Sequence, residues 1–366
     1  MHLHIVSFNV PWPADYGGVI DVYYRIKTLA KAGYKIHLHC YTYGRDEALV
    51  LNEICEEVNY YPREVGLRHQ FERRPYIVAS RNSRQLIDRL KQDDFPILIE
   101  GLHGCFVLEQ LADGDRKIIV RTHNVEHDYY LALARSEKSL WKKVFFLVES
   151  RKLKHYEQII TRASGILAIS ESDAAHFRKI GCHNVSVLPP SHCHDKITSF
   201  LGKGEYILYH GNLSVAENVR AVVFMAQNLI PNTKYPFIIA GRDPSDELQQ
   251  MLKQFGNVTL VANPSEERMH ELLANAQVNV LVTDQPTGVK LKLINALYEG
   301  RFCLVNSTMV SGTHLKEACV VEDNPQRMLD SLNQLMITEF TENELLIRKE
   351  ILNKVDTEYD FRNILI

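Results

Sequence analysis

The sequence predicts an α/β fold made of two parallel sheets, each covered by helices on both faces. Short runs rich in β-branched and aromatic residues alternate with stretches of helical period, which is the pattern of doubly wound sheets. The alternation stops at Pro189 and Pro190, and it resumes only after a polar stretch at 191–204. A length of 366 residues also suits two domains of ordinary size. We therefore predict two Rossmann-like domains that face a central cleft.

The predicted elements follow this division in order. The first series opens as a β-α-β unit, with segments expected at His2 to Phe8, Val19 to Lys31, Lys35 to Tyr41, Pro96 to Glu100, Lys117 to Thr122 and Gly165 to Ser170. The second series has strands expected at Glu205 to His210, Pro236 to Ala240, Asn257 to Val261, Gln277 to Thr283 and Arg301 to Asn306. The domains are accordingly predicted at 1–190 and 205–340, with a hinge at 191–204. We expect a helical tail at 341–366 to cross back and brace the first domain.

Composition excludes several classes of protein. Hydrophobic residues make up 45% and charged residues 24%, and 42 basic against 45 acidic side chains leave a net charge of -3. These values argue against wholesale disorder and against a nucleic-acid partner. The first residues lack the pattern of a signal peptide, and the seven cysteines are scattered rather than arranged as a disulfide framework. We therefore expect a cytoplasmic protein with free thiols.

The loop after the first strand is a candidate ligand site, because doubly wound sheets bind ligands at the carboxyl ends of their strands. Asp15, Gly17 and Gly18 lie there, at the mouth of the first helix. Paired glycines allow backbone N–H groups to approach anionic oxygens closely. The full G-x-G-x-x-G fingerprint is absent, which argues against an NAD enzyme. A tight strand-to-helix turn would explain the same glycines.

Three polar side chains follow the strand that ends near Thr122, namely His123, Asn124 and Glu126. A histidine at such an edge can bond a substrate hydroxyl or transfer a proton. Alternatively, Asn124 caps the following helix and His123 is satisfied by its neighbours. Both interpretations stay open at the level of sequence.

Three loops of the second domain bring glycines and cations to one edge of the predicted sheet. The residues concerned are Gly211, Asn212, Gly241, Arg242, Gly288, Val289, Lys290 and Lys292. Helix N–H groups and Lys or Arg charges together stabilise anionic oxygens, so this edge suits a diphosphate. Taken singly, each lysine could equally be a solvated helix position.

In their order and spacing these motifs resemble the retaining, nucleotide-sugar-dependent glycosyltransferases of the GT-B fold, the family-4 or group-1 type. The resemblance rests on Asp15 to Gly18, His123 to Glu126, Ala168 to Asp173, Gly211 and Asn212 with Asn218, Ile238 to Arg242, and Gly288 to Gly300. It implies that the second domain holds a nucleotide-diphosphate sugar. It also implies transfer of a hexose to a glycan or lipid-linked acceptor on the first domain, in surface polysaccharide assembly.

The resemblance also implies roles for individual residues. The catalytic group would be His123, Lys292 and Arg242. The donor-binding group would be Gly211, Asn212, Gly241, Gly288, Val289, Lys290 and Asn295. The residues that position the acceptor or sugar would be Asp15, Gly17, Gly18, Asn124 and Glu126. In such relatives the leaving diphosphate accepts the proton of the acceptor, so no general base is needed. No metal or other cofactor is expected.

The chain departs from this family in two places. Many relatives carry two glutamates eight positions apart, where this chain has Thr287 and Asn295. Relatives also often carry an arginine and a lysine where this chain has Asn212 and Asn218. Two alternatives therefore stay open. One is a catalytically impaired GT-B protein that binds nucleotide or sugar or partners an active transferase, and the other is a sugar-nucleotide epimerase.

Other motifs give weaker signals. Asp113 and Asp115 have the spacing of a metal-binding pair but precede a strand, so we interpret them as a turn. The pairs Cys182-His183 and His192-Cys193-His194 match no common zinc pattern.

A basic segment suggests a membrane contact. Residues 62–91 carry eight basic side chains against three acids, and 140–146 form an amphipathic basic stretch. These segments could dock on the anionic inner membrane surface or receive a lipid diphosphate. A solvated helix face explains the same residues, and we favour that interpretation.

Overall fold

The chain folds into two compact units. The computed structural model describes residues 1–137, 139–285 and 290–357. The units are Met1–Cys193 and His194–Ile366, so the division lies inside the predicted hinge at 191–204. Each unit has its own parallel sheet and its own helices.

Thirteen strands run through the described residues. They are β1 His2–Ser7, β2 Lys35–Thr42, β3 Glu57–Pro62, β4 Ile97–Glu100, β5 Ile118–Arg121, β6 Gly165–Ala168, β7 Val185–Val187, β8 Tyr206–His210, β9 Phe237–Gly241, β10 Val258–Ala262, β11 Ala276–Leu281, β12 Phe302–Val305 and β13 Val320–Val321.

The α-helices of the same residues lie between and after these strands. They are α1 Gly17–Lys31, α2 Tyr76–Ala79, α3 Arg84–Leu90, α4 Phe106–Leu111, α5 Glu126–Ser136, α6 Leu140–Tyr156, α7 Glu171–Lys179, α8 Ala216–Asn228, α9 Asp246–Leu252, α10 Glu266–Asn275, α11 Leu291–Glu299, α12 Ser307–Val310, α13 Pro325–Ile337 and α14 Glu342–Thr357.

The first sheet has the strand order β3-β2-β1-β4-β5-β6-β7, and every neighbouring pair is parallel. All residues of β4, β5 and β6 are buried, as expected for strands covered on both faces. The second sheet has the order β10-β9-β8-β11-β12-β13 and is parallel as well. The predicted α/β class with two Rossmann-like sheets is therefore confirmed.

Three strands were not predicted, and all three lie at sheet edges. β3 is half-buried along most of its length, β7 has three residues and β13 has two. Edge strands bury less apolar side chain than central ones, so their sequences carry a weaker hydrophobic signal. The sequence therefore predicts the centres of both sheets better than their edges.

The last described helix, α14, packs within the second unit. Ile351 and Leu352 belong to that unit's hydrophobic core. Arg348 Nη1 donates to the Gly300 carbonyl at 2.6 Å and to Ser199 Oγ at 3.0 Å. Residues 358–366 lie outside the described part of the chain, and the bracing of the first domain by the tail stays a prediction.

None of the helices in the described residues combines the length and the apolar composition that a membrane-spanning segment needs.

A ladder of four histidines crosses β1 and β2. Alternate residues of a strand share a face, so His2 and His4 on β1 stand beside His37 and His39 on β2. His2 Nδ1 lies 2.8 Å from His37 Nε2, and His4 Nδ1 lies 2.8 Å from His39 Nε2. Each pair can share one hydrogen bond only when at least one of its rings is neutral.

The ends of this ladder are bonded to other side chains. His37 Nδ1 lies 2.9 Å from Glu57 Oε2, and His39 Nδ1 lies 2.9 Å from Tyr61 Oη. His4 Nε2 lies 2.9 Å from Asp93 Oδ1. His4 and His39 are fully buried. The polar ladder is thus satisfied inside the core, as buried polar groups must be.

We expect acid to weaken the first unit through this ladder. Burial lowers the pKa of His4 to about 4; Asp93 opposes this shift, and Arg116 and His37 add to it. In the unfolded chain the pKa of a histidine is about 6.5. Between these values the unfolded state binds a proton that the folded state does not. The free energy of unfolding should therefore fall by about 2 kcal/mol between pH 7 and pH 5 through His4.

Urea unfolding at the two pH values measures this loss. His4→Gln should remove most of the difference, because glutamine does not titrate. His155→Gln is the matched control, since His155 is exposed. His155→Gln should keep the pH dependence of the unsubstituted chain. If His4→Gln keeps it as well, His4 is not the source of the pH dependence.

Candidate active site

A buried network of charged side chains lies at the carboxyl edge of the first sheet. Asp21 and Arg25 on α1, Glu100 at the end of β4 and Arg121 at the end of β5 are all almost completely buried. Arg25 Nε donates to Glu100 Oε1 at 2.9 Å and its Nη2 donates to Asp21. Arg121 Nη2 donates to Asp21 Oδ2 at 3.1 Å. The two guanidinium groups and two carboxylates neutralise one another, as buried charges require.

Asp21 also ties the segment after β7 to this network. The Ser191 N–H donates to Asp21 Oδ1 at 2.7 Å. Arg121 Nη1 donates to the Leu188 carbonyl at 2.5 Å. Burial opposes ionisation of Asp21, but the charges of Arg121 and Arg25 outweigh it and hold the pKa of this carboxyl well below its usual range.

His123 lies on this network, two residues after β5. Its Nε2 is 3.0 Å from Glu100 Oε2, and its Nδ1 is 3.4 Å from Asp21 Oδ2. The rings of His123 and Phe8 also pack edge to face, with their centroids 5.4 Å apart. Because both ring nitrogens face carboxylates, the imidazole is held in one orientation. This arrangement suits a residue that positions a ligand better than one that shuttles a proton.

Asn124 and Glu126 follow at the start of α5. The residue that precedes the helix is Val125, and no side chain caps the first turn, so Asn124 is not the helix cap. Glu126 is 5% exposed. Burial and the nearby charge of Glu157 raise the pKa of Glu126 to about 8. A carboxyl that is neutral at pH 7 can donate a hydrogen bond to a ligand oxygen.

The predicted acceptor loop lies after β1. Asp15 is ion-paired with Arg45, and Arg45 Nη1 also donates to the Pro13 carbonyl at 2.6 Å. Gly17 is the first residue of α1. A Cβ at Gly18 would lie 2.8 Å from the ring of Phe8, so packing alone explains this glycine. The turn interpretation and the ligand interpretation therefore both fit Gly18.

A cavity of about 590 Å³ opens beside this loop. Its lining residues include Trp12, Asp15, Arg45, Asp46 and Glu47. Exposed aromatic rings with charged and polar neighbours are suited to stacking on a polar ligand and bonding its hydroxyl groups. The first unit thus has a concave polar surface next to the predicted acceptor residues.

In the second unit, Gly211 follows β8, and Gly241 is the last residue of the neighbouring strand β9. A Cβ at Gly241 would lie 1.8 Å from the Gly211 carbonyl oxygen, so the two loops pack too closely for a side chain there. The Gly211 N–H donates to the Ala240 carbonyl at 3.1 Å. Arg242 is exposed, and its carbonyl accepts from the Leu213 N–H at 2.8 Å. Close packing therefore explains Gly241 without a ligand.

The side chains of Asn212 and Asn218 make hydrogen bonds in and around the loop that follows Gly211. Asn218 Nδ2 donates to the Asn212 carbonyl at 2.8 Å, and Tyr209 Oη donates to Asn218 Oδ1 at 3.1 Å. Asn212 Oδ1 accepts from the Ser214 N–H at 3.0 Å. These amides hold the loop that joins β8 to α8.

The N-terminus of α11 carries two lysines beside this loop. Lys292 Nζ donates to Asn218 Oδ1 at 2.8 Å and lies 5.4 Å from the centre of the Tyr209 ring. Lys290 immediately precedes the helix. Burial lowers the pKa of Lys292 to about 8; the charge of Glu217 opposes this shift, and the charge of Lys290 adds to it. A bound anion would stabilise the charged form of Lys292, because it would pair with the half-buried ammonium group.

Two predicted donor residues, Gly288 and Val289, lie outside the described residues, as does Thr287. Asn295 is described, and it lies near the middle of α11. Its Oδ1 is 3.0 Å from His194 Nε2. His194 in turn lies 3.5 Å from Glu299 and stacks on Tyr298. The amide of Asn295 is therefore already engaged within the second unit.

Sequence reasoning missed Glu217, which lies in the first turn of α8. Its Oε1 accepts a short hydrogen bond from Thr283 Oγ1, and it is 3.8 Å from Lys290 Nζ. An acid in the first turn of a helix is common, because it interacts favourably with the helix dipole. The sequence around Glu217 therefore held no signal of its position beside the lysines.

The predicted metal-type motifs do not form ligand sets in the described residues. Asp113 is exposed and pairs with Arg162 at 2.7 Å. Cys182 is buried, whereas His183 is exposed. Asp21, Glu100 and His123 offer three ligand atoms within 4.8 Å of one another. The guanidinium groups of Arg25 and Arg121 already supply the positive charge there.

Comparison with known proteins finds a family match in the first unit and a related sequence. The profile of Glycosyltransferase Family 4 matches residues 17–191. A protein of Klebsiella pneumoniae described as an uncharacterized 44.6 kDa protein in the cps region is 27% identical in an alignment of 327 residues that covers 84% of this chain and 84% of that one.

Solved structures share the fold over nearly the whole chain. HepE of Anabaena, crystallised with UDP and glucose, is 12% identical with a TM-score of 0.65, over 100% of this chain and 97% of that one. TarM is 9% identical with a TM-score of 0.68, over 100% and 97%. The lipopolysaccharide outer core galactosyltransferase WaaB is 15% identical with a TM-score of 0.62, over 98% and 99%. The chain therefore shares the fold of these glycosyltransferases, and the Glycosyltransferase Family 4 match lies in its first unit.

Proposed function

We propose that this chain transfers a hexose from a nucleotide-diphosphate donor to a glycan or lipid-linked acceptor, with retention of the anomeric configuration. The observation that carries the proposal is the pair Lys290 and Lys292 at the N-terminus of α11, beside the loop of Gly211. In the proposed site the second unit binds the diphosphate and the first unit binds the acceptor.

The charge inventory of the second unit supports a diphosphate ligand. Lys290 and Lys292 lie where the first N–H groups of α11 point towards an anion. Lys292 is half-buried, so its charge interacts more strongly with an anion than a solvated charge does. Arg242 is exposed on the neighbouring loop and adds a third positive charge to this edge of the sheet.

The same groups would assist the reaction. Breaking the bond between the anomeric carbon and the phosphate builds negative charge on the departing diphosphate. Lys292 and Arg242 would stabilise that charge, as preorganised cations do in transition states. We propose that the leaving diphosphate accepts the proton of the acceptor hydroxyl, and that the reaction needs no divalent metal.

On the acceptor side, we assign a positioning role to His123. Asp21 and Glu100 hold both nitrogens of its ring, so its position is fixed before a ligand binds. Asn124 and Glu126 follow within three residues, and Asp15 lines the cavity near β1. Gly17 and Gly18 complete the predicted loop.

Two comparisons support the choice of substrates. HepE was crystallised with UDP and glucose, which favours a nucleotide sugar as the donor here. The Klebsiella relative is encoded in a cps region, which favours surface polysaccharide assembly and a cytoplasmic site of action. We therefore propose that the acceptor is a growing glycan or its lipid-linked precursor.

A non-catalytic GT-B protein that binds nucleotide or sugar is the second candidate function. Asn295 supports it, because this residue replaces a family glutamate and its amide is engaged by His194. Glu217 supports it too, because its carboxylate lies near Lys290 and would repel a phosphate. Nothing in the described residues favours the sugar-nucleotide epimerase over these two functions.

The purified chain should turn over one class of nucleotide sugar. We would incubate it with UDP-, GDP-, ADP- and dTDP-sugars and acceptor extracts, and measure nucleotide-diphosphate release and the anomeric configuration of the product. Lys292→Ala should lower kcat/KM by about a hundred- to a thousandfold, because the leaving diphosphate loses a preorganised cation.

Lys292→Arg retains the charge and should keep more activity than Lys292→Ala. Lys253→Ala is the matched control, because Lys253 is an exposed lysine of the same unit. Specific nucleotide binding without turnover of any donor would favour the non-catalytic candidate. Full activity in Lys292→Ala would refute the assignment of the diphosphate to α11.

We also propose that the start of α6 makes a peripheral contact with an anionic membrane. Leu140 is 77% exposed and Trp141 is 88% exposed. Lys142 and Lys143 are exposed beside them. Apolar side chains flanked by lysines partition into the interface of anionic membranes. This contact would bring the acceptor unit to a lipid-linked substrate.

Vesicle sedimentation tests this contact. The chain should bind vesicles rich in phosphatidylglycerol and not vesicles of phosphatidylcholine. Lys142→Gln should weaken binding about fivefold, because each lysine near an anionic surface contributes about 1 kcal/mol. Trp141→Ser should weaken it further, whereas Leu49→Ser, at another exposed apolar position, should not. Equal binding to both kinds of vesicle would contradict the proposal.

A further inference from the structure

A second cluster of possible metal ligands lies in the first unit, apart from the network around Asp21. His127 is in the first turn of α5, Glu157 directly follows α6, and His176 is on α7. His176 Nε2 is 2.7 Å from Glu157 Oε2, and His127 Nδ1 is 3.2 Å from the same oxygen. The three ligand atoms all lie within 4.8 Å of one another.

These separations are close to those of a zinc site. Zinc binds imidazole nitrogen and carboxylate oxygen at about 2.0–2.2 Å, so neighbouring ligand atoms of a tetrahedral site are about 3.3 Å apart. Two imidazoles and one carboxylate are also a common set of protein ligands for a zinc ion that keeps a fourth position for water. Small side-chain movements would bring the three atoms to this geometry.

One ligand atom of the cluster is unsatisfied. His127 Nδ1 is buried and makes no aligned hydrogen bond to a described residue, although Glu157 lies close to it. Buried polar atoms without a partner are rare in native structures. A metal ion between His127, Glu157 and His176 would satisfy this nitrogen.

A carboxylate lies near the other nitrogen of His127. His127 Nε2 is 3.5 Å from Asp128 Oδ1. A ligating histidine usually donates its second N–H to a carboxylate, which orients the ring. Asp128 therefore stands in the position of such an outer partner.

The local charge also favours a cation. Among the described residues, neither Glu157 nor Asp128 is ion-paired with a lysine or an arginine. Asp173 adds a buried carboxylate whose Oδ2 has no hydrogen-bond partner in the described residues, and its charge acts on His176. This cluster contrasts with Asp21 and its neighbours, which already hold two guanidinium groups.

We propose that His127, Glu157 and His176 bind one zinc ion. The ion would tie α5, the end of α6 and α7 together, and its site is separate from the lysines that we assign to the diphosphate. Zinc binding would release the proton that His176 shares with Glu157. The proposal does not depend on the transferase activity.

The test measures zinc in the full chain. Because Cys193 is exposed and could bind zinc adventitiously, the experiment uses Cys193→Ser as its background. After dialysis against micromolar zinc and then against buffer, mass spectrometry should find about one zinc per chain, and the melting temperature should rise with zinc. His176→Ala should lose both the zinc and the thermal shift.

His183→Ala is the matched control, because His183 is exposed in the same unit and lies outside the cluster. It should bind zinc as the background does. X-ray absorption of the zinc-loaded background should show two imidazoles and an oxygen ligand, and this readout does not need a folded His176 variant. Zinc far below one per chain, full binding by His176→Ala, or sulfur ligation would overturn the proposal.

Discussion

The bonds of Asp21 hold together the carboxyl edge of the first sheet. This one carboxylate accepts hydrogen bonds from Arg25, Arg121 and the Ser191 N–H, and it faces His123. It therefore links α1, β5 and the segment after β7. Removing one partner of a buried ion pair typically costs about 3–5 kcal/mol, because the other charge stays buried and uncompensated. The network thus restricts the position of His123 and, through β5, the start of α5, where the other predicted acceptor residues lie.

The second unit places its charges differently. Lys292 donates to the amide oxygen of Asn218 and lies over the Tyr209 ring, and the charge of Glu217, which is beside Lys290, also acts on it. A half-buried lysine that donates to a neutral amide can pair its charge with a ligand, although burial lowers its pKa. The network around Asp21 thus neutralises its own charges, whereas α11 carries cationic groups at its N-terminus. This contrast agrees with an acceptor unit and an anion-binding unit.

The sequence predicted the central strands and the loops well because both depend on local patterns. Buried parallel strands such as β5 read as apolar runs, and their carboxyl ends must share one edge, which located His123 and Lys292. The partners of these residues could not be predicted. Glu100 and Asp21 lie 23 and 102 positions before His123, and only the fold brings them to its ring. The sequence also could not show why Gly241 is a glycine. Close packing against the backbone of Gly211 leaves no room for a side chain there, so no ligand is needed to explain it.

Above all, we propose that α11 binds the diphosphate of a nucleotide sugar. The most direct test is a crystal structure of the chain with the nucleotide diphosphate that binds it best. We expect phosphate oxygens within about 3 Å of Lys292 Nζ and of the first backbone N–H groups of α11. A diphosphate bound elsewhere, with Lys292 still bonded only to Asn218, would contradict it.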